Sequence, residues 1–355
     1  VGEKTLDTGV SRNFKDNMAR FEKELEAHGG NYEKWAGENA AYLDAIKRTL
    51  GELPEEQMGF AGKEDWVFFR KSLEYMAGGD LSDQAEDKAP VPHVKAFQEY
   101  LNENDINMLY VVIPTKSDVY YEKLPAEMPD ASDEIINPYG RKFLRDCQEA
   151  GIEVIDVLPH LLEAKAEDER SEEHLYQHQD THWTNRGLQI AAELIADRVK
   201  QYAWYDELSD RRVDYSIEDT TFMRQGDIVD KLPEDIRADY PAVELKARRV
   251  MTAEGKPYRG RGKKTAPIML AGDSFTGVFE LVDCKSAGVG SHIAAKTGLP
   301  VDIVTSWGGG PLVRQKAYNY DKRSQTMKHK RLVVYLMVAR DLYDYSQSWK
   351  PLEKK

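Results

Sequence analysis

Ser274 stands at the end of an apolar run, Pro267-Ile-Met-Leu-Ala-Gly-Asp-Ser-Phe-Thr-Gly277. A strand there would deliver a hydroxyl to the carboxyl edge of a sheet, where open α/β sheets take their ligands. Gly272 permits a tight turn, and a helix beginning after it would aim backbone N–H groups at an incoming oxyanion. The same residues also suit a plainer use, in which Asp273 or Ser274 only caps that helix. A hydroxyl nucleophile needs a base, and the base needs a carboxylate to fix its tautomer and stabilise its cation. The segment His174-Leu-Tyr-Gln-His178-Gln-Asp180-Thr-His182-Trp183 holds three of the chain's eight histidines. Asp180 and His182 form an Asp-x-His pair that a loop could turn toward one site, with Trp183 packed behind the imidazole.

Two other readings of this cluster stand beside that one. His174, His178 and His182 fall at i, i+4 and i+8, which on a helix would make a metal-binding face with Asp180 nearby. Against it, Thr184 is a good N-cap for the next helix and so puts His182 outside any helix. The histidines could also be ordinary loop residues. The candidate catalytic set is therefore Ser274, His182 and Asp180, with no metal and no cofactor.

These groups can meet only if the right elements carry them. Asn107–Ile113 is a continuous apolar run closed by Pro114; Ile152–Val157, Pro267–Ala271, Val301–Thr305 and Leu332–Val338 are further strand candidates. Helix-like stretches alternate with them, at Val91–Asn102, Tyr139–Ala150 and after Thr184, where Leu188, Ala191, Ala192, Ile195 and Val199 form an apolar stripe. Apolar runs alternating with helices predict a parallel sheet buried on both faces, an α/β class. Residues Phe14–Lys47, with Met18, Phe21 and Leu25 at helical spacing, predict a helical extension over 1–58. Residues 59–350 form the predicted catalytic domain, and 201–262 read as a less regular elaboration packed onto it.

Composition narrows the function classes. The 355 residues are 41% hydrophobic and 31% charged, with a net charge of −13. An acidic surface repels a phosphate backbone, so nucleic acid is not expected as the partner. No apolar run approaches the roughly 20 residues of a membrane span. Of the two cysteines, Cys147 reads as a small core residue on a helix face; a bridge to Cys284 is open. A chain beginning at Val1 rather than Met raises the expectation of a leader or anchor ahead of it.

Gly-Asp-Ser before a helix, with an Asp/His pair on a separate loop, resembles the SGNH (GDSL-like) hydrolase superfamily. In the usual order the serine comes first; here Asp180-Thr-His-Trp183 precedes Ser274, as if the chain were circularly permuted. That order resembles the alginate O-acetyltransferase family of the AlgJ/AlgX type. Gly62–Phe69, Val111-Val-Ile-Pro-Thr-Lys116, Ile155-Asp-Val-Leu-Pro159, Tyr176–Gly187 and Gly308-Gly309-Gly310 resemble further segments of that family. The resemblance departs at Val338-Ala-Arg-Asp341, where no Asn is available for an oxyanion hole.

What the resemblance implies is an SGNH-like parallel sheet flanked by helices and transfer of acetyl through a serine acyl-enzyme. The acceptor would be an exported polysaccharide, alginate-like or cellulose-like, and the donor would be relayed by a membrane-bound O-acyltransferase. It also implies a periplasmic place, with anchoring by a segment preceding Val1. The expected oxyanion donors are the N–H of Ser274 and one from the Gly308–Gly310 turn, Gly308 and Gly309 first. Arg314 and Arg340, just past strand ends, could meet uronate carboxylates or serve in ordinary surface ion pairs. A carbohydrate acetylesterase and a non-catalytic polysaccharide-binding or export subunit are the alternative functions.

Overall fold

Five apolar runs assemble into one sheet whose strand order decides where the chemistry sits. The structure is a computed structural model describing residues 4–353, except 126, 127, 130, 132, 172 and 308 and the side chain of Glu169. Nine strands run through the described residues: β1 (Gly59–Ala61), β2 (Val67–Phe69), β3 (Asn107–Ile113), β4 (Val154–Asp156), β5 (Tyr215–Arg224), β6 (Val243–Thr252), β7 (Ile268–Gly272), β8 (Val301–Thr305) and β9 (Leu332–Val338). The central sheet has the order β4-β3-β9-β7-β8, and every pairing in it is parallel. All residues of β7, β8 and β9 are buried, which is why these strands read as unbroken apolar runs without alternation.

Chain direction across this sheet reverses in the middle. From β3 the chain steps outward to β4, while from β7 it steps outward to β8, and β9 closes the gap between β3 and β7. A crevice opens outside the carboxyl ends where the order reverses. Register does the rest: Gly272 pairs with Thr305 on one side and Leu336 on the other. The residues that follow these three strands, Ser274, Trp307 and Arg340, therefore emerge side by side and line one cleft.

Helices Pro90–Asn102, Pro138–Glu149, Asn185–Val199, Val289–Thr297 and Val313–Ser324 accompany the sheet. The N-terminal extension folds as Arg12–Ala27, Tyr32–Glu38 and Ala40–Glu52, burying Phe21 and Leu25. Buried charges tie it to the sheet edge. Arg141 pairs with Asp156 at 2.6 Å and with Glu24 of the first helix at 2.8 Å, and Arg20 reaches Asp156 at 3.0 Å. Cys147 is fully buried, and both cysteines are free, so no bridge joins Cys147 to Cys284. Among the described residues no helix is long and apolar enough to cross a membrane.

The expectation of an irregular 201–262 is corrected by β5 and β6. They form a ten-residue antiparallel ribbon, paired from Tyr215↔Thr252 to Arg224↔Val243. Half of its residues are exposed and only two are buried, so no apolar alternation marks it in the sequence. The ribbon is held at its base: Ala247 and Val250 are buried, and the Arg248 N–H donates to Asn185 Oδ1 at 2.9 Å.

Candidate active site

Asp180 and His182 lie in a tight loop closed by a bridge between Tyr176 and Trp183. The Gln177 N–H donates to His182 O at 3.1 Å, the Thr184 N–H to Leu175 O at 2.9 Å, and Gln177 Nε2 to Trp183 O at 3.1 Å. Thr184 then caps Asn185–Val199 by accepting from the Gly187 N–H. The Asp-x-His spacing lets one carboxylate oxygen face both the backbone and the ring two residues on. Asp180 Oδ1 accepts from the His182 N–H at 2.9 Å and lies 2.6 Å from His182 Nδ1.

From the other direction, β7 ends in a turn that only glycine allows. A Cβ on Gly272 would lie 1.9 Å from Thr276 Oγ1. Asp273 caps the short helix Ser274–Gly277 through the Phe275 N–H, and its second oxygen accepts from the Val338 N–H at 2.7 Å. Burial pushes the Asp273 carboxyl up to about 6, helped by the neighbouring Asp341. The capping use is thus real, and it belongs to Asp273; Ser274 is left to face the loop. His182 Nε2 lies 2.8 Å from Ser274 Oγ. These partners set the tautomer, with the proton on Nδ1 toward Asp180 and a free lone pair on Nε2 toward the hydroxyl. Phe275, not Trp183, backs the imidazole, with centroids 4.7 Å apart; Trp183 packs edge-on against Phe275.

The ribbon completes the Asp180 environment. Asp180 Oδ2 accepts from Arg224 Nε at 2.9 Å, Arg224 Nη2 at 2.7 Å and the Asp227 N–H at 2.9 Å. Arg224 also donates to Asp283 Oδ1 at 2.6 Å, and Asp227 accepts from the Thr181 N–H and hydroxyl. This close approach needs Gly226, where a Cβ would lie 2.0 Å from Gln179 O. Burial alone would raise the Asp180 carboxyl, but His182 and Arg224 outweigh it and hold it well below the usual carboxylate range. Neither Arg224 nor Asp227 was named from the sequence, and no local signal distinguishes them in a segment without periodicity.

Lys116 is the third unforeseen member, although its motif was noted. It is buried just past β3 and donates to three carbonyls of the loop, Gln177 O at 3.0 Å, His178 O at 2.9 Å and Asp180 O at 2.7 Å. Burial pulls its ammonium down to about 7, with Asp180 and Asp227 pulling the other way. Three N–H donors for three acceptors fit the charged form. Lys116→Met keeps the side-chain length but strands three buried carbonyls, so a loss of about 3 kcal/mol is expected in chemical denaturation. A midpoint equal to the wild type's would contradict the clamp.

The helical histidine face is corrected by the same loop. His178 Nε2 bonds His174 Nδ1 at 3.0 Å, both rings pack against Trp66, and His182 points to Ser274 instead. Among the described residues the ligand atoms that come together are those of Asp180, His182 and Asp227. Five donor contacts already occupy Asp180, so a cation there would have to displace Arg224 and backbone N–H groups.

The cleft above Ser274 measures about 260 Å³ and is lined by Phe69, Trp307, Gly309, Arg340 and Tyr345 among others. Arg340 lies over the Phe69 and Phe275 rings at 5.4 and 5.5 Å, and among the described residues its guanidinium has no ion pair. Arg314 is corrected on both of its readings. It is buried away from the cleft and donates to the carbonyls of Pro311, His93 and Lys350. Of the glycine turn, Gly308 lies outside the described residues, Gly309 lines the cleft, and the Gly310 N–H is taken by Asp341 Oδ2 at 2.9 Å.

Residues 60–334 match the family described as SGNH hydrolase-like domain, acetyltransferase AlgX. The probable alginate O-acetylase AlgJ of Pseudomonas aeruginosa is 25% identical over 305 residues, covering 81% of this chain and 73% of that protein. The alginate biosynthesis protein AlgX of the same organism is 27% identical over 147 residues, 41% of this chain and 28% of that protein. Among solved structures, the O-acetyltransferase domain of Pseudomonas putida AlgJ superposes with a TM-score of 0.63 at 18% identity, covering 81% of this chain and 94% of that one. Pseudomonas aeruginosa AlgX superposes at 0.55 and 17% identity, over 80% of this chain and 65% of that one. With more than three quarters of its length matched and the same fold, the chain belongs to the SGNH hydrolase-like, acetyltransferase AlgX family.

Proposed function

We propose that this chain moves acetyl groups through a Ser274 acyl-enzyme onto hydroxyls of a polysaccharide. The observation that carries the reading is the line of contacts from Asp180 through His182 to Ser274, 2.6 and 2.8 Å. In the first half-reaction His182 Nε2 takes the Ser274 proton while Oγ attacks the acetyl carbonyl carbon. The tetrahedral intermediate collapses, and the donor's oxygen leaves with the proton held by His182. In the second, His182 takes a proton from a sugar hydroxyl, whose oxygen attacks the acyl carbon; the ester bond to Ser274 breaks and Oγ leaves with that proton from His182. Asp180 balances the imidazolium in both halves, and its ties to Arg224 and the Asp227 N–H keep it ionised and aimed.

The oxyanion is assigned to the Ser274 N–H, which has no acceptor among the described residues, with Gly309 as the second donor. Gly310 is withdrawn, because Asp341 uses its N–H. Removing one such donor typically costs about 3 kcal/mol of transition-state stabilisation. Arg340 shares the cleft with Asp273 and Asp341, whose carboxyls it pulls down, and it is assigned to an anionic group of the acceptor.

Transfer, rather than hydrolysis, is supported by the named relatives, one an alginate O-acetylase and one an alginate biosynthesis protein. The reading further includes an acetyl donor relayed by a membrane-bound O-acyltransferase and an acceptor outside the cytoplasm, both implied by the family resemblance alone. Water would use the same base, so acetyl-ester hydrolysis is the expected side reaction. The test is incubation with an acetyl ester and an oligosaccharide, with mass spectrometry of the sugar. Acetylated oligosaccharide is expected; ester cleavage with the sugar unchanged, across uronate and neutral oligomers, would make this an esterase.

A further inference from the structure

Apart from the His182–Ser274 contact, no hydrogen bond among the described residues runs directly from the loop Tyr176–Trp183 to residues 273–283. Arg224 spans the gap instead. Its Nε and Nη2 donate to Asp180 Oδ2, and its Nη1 donates to Asp283 Oδ1 at 2.6 Å. A planar guanidinium is a rigid fork, so it fixes the two carboxylates relative to each other. Asp283 in turn belongs to the nucleophile's segment. It follows the helical turns Ser274–Gly277 and Val278–Val282, and its N–H donates to Val278 O at 3.0 Å. The residues after it hold it there. Lys285 and Ser286 take positive φ of 59° and 55°, a costly conformation for non-glycine residues. Ser286 O then accepts from the Val250 N–H of β6 at 2.8 Å.

Charge explains why a carboxylate is kept at this place. Arg224 alone would cancel Asp180, and the base would have no negative charge to set against its imidazolium. The Asp283 side chain is 8% exposed and its Oδ2 has no hydrogen-bond partner, so hydrogen bonding alone does not account for its burial. Burial pushes its carboxyl up, and Arg224 pulls it back. On the Nδ1 side of the ring stand three carboxylates: Asp180, Asp283 and Asp227, whose Oδ2 is 3.7 Å from Nδ1. Against them stand two cations, Arg224 and Lys116. One negative charge is left over, and the imidazolium cancels it. Of the other groups beside the turn, Arg249 donates to Cys284 O, Glu280 bonds Ser291, and burial keeps Cys284 a neutral thiol. On the cleft side, Arg340 stands with Asp273 and Asp341.

We propose that Asp283 is a positioning residue for the general base. It fixes Arg224 from the nucleophile's side and offsets its charge, so that Asp180 acts on His182 as a full carboxylate. The proposal rests on the acyl-transfer reading, in which His182 gains and loses a proton. Asp283 does not line the cleft, so its effect belongs to kcat and not to KM.

The test is the pH dependence of acetyl-ester turnover by the full chain in three variants. Asp283→Asn keeps an acceptor for Arg224 and removes the charge. Its kcat is expected to fall about tenfold with KM unchanged, and the acid limb of its kcat/KM profile to move down by about half a pH unit. Arg224→Gln removes the opposite charge, and its acid limb is expected to move up. The double variant should bring the limb back toward the wild-type position. A merely structural role would lower activity in all three without opposed shifts. Should Asp283→Asn fail to fold, the double variant set against Arg224→Gln isolates the same charge. Limbs that coincide in all variants, or a loss confined to KM, would overturn the proposal. Sulfonyl fluoride labelling of Ser274 in the wild type reports the acyl reading alone. Labelling with coincident limbs removes only the role of Asp283; turnover without labelling removes the reading beneath it.

Discussion

Ser274→Ala is expected to lower turnover of a chromogenic acetyl ester by on the order of 10⁴-fold or more, with stability unchanged. The large effect follows from the line of contacts: Ser274 Oγ is the atom that His182 Nε2 faces at 2.8 Å, and no other hydroxyl among the described residues shares that position. The small stability effect follows from placement. Ser274 is only half-buried, at the floor of an open cleft, so removing its oxygen leaves no closed void and no stranded donor. The turn that presents it is set by Gly272 and by the Asp273 cap, neither of which changes. Initial rates with the ester and a thermal melt on the same sample check both halves. Retention of wild-type rates would remove Ser274 from the mechanism.

Asp180→Asn is expected to cost on the order of 10³- to 10⁴-fold in kcat, and unlike the serine change it should also unsettle the fold. An asparagine cannot satisfy its surroundings in either orientation. With its carbonyl toward His182, the amide N–H₂ faces Arg224 and the Asp227 N–H, donor against donor. With its amide toward His182, the ring's proton moves to Nε2 and points at Ser274, the wrong tautomer for a base. Breaking a buried charge pair leaves Arg224 held by Asp283 alone, and a loss of about 3 kcal/mol is expected. The sign with pH is fixed by the direction of the shift. A carboxyl held below its unfolded value stabilises above about pH 4 and loses that contribution as pH falls toward the folded value. Denaturation curves at neutral pH and at pH 3 should therefore show the gap between wild type and variant closing in acid; a gap independent of pH would contradict the charged pairing.

The sheet was readable because its strands are buried on both faces. Asn107–Ile113, Val301–Thr305 and Leu332–Val338 begin and end where their apolar runs do, and Ile268–Gly272 is displaced from its run by one residue. The shorter Val154–Asp156 lost its flanks to the loops, since it is an edge strand paired on one side. The Asp180/His182 and Ser274 motifs were readable because each is local: an Asp-x-His turn and a glycine at a strand end are properties of a few neighbouring residues. That they meet is a property of the sheet order. The groups that hold Asp180 and its loop in place, Arg224, Asp227 and Lys116, were not readable, because each acts across 44 or more residues of chain. The ribbon carrying Arg224 has polar side chains on both faces and so no periodic signature. Arg314 misled for a related reason. A charged residue past a strand end suggests surface, whereas three backbone carbonyls and the Trp349 ring enclose it.

The central claim is that one hydroxyl, activated by His182, carries the acyl group. The most direct measurement is peptide mass spectrometry after treating the intact protein with a sulfonyl fluoride, alongside His182→Ala. The account predicts a single adduct on the peptide containing Ser274 in the wild type and its loss in the variant. An adduct on another residue, or ester turnover that survives while Ser274 stays unmodified, would contradict it.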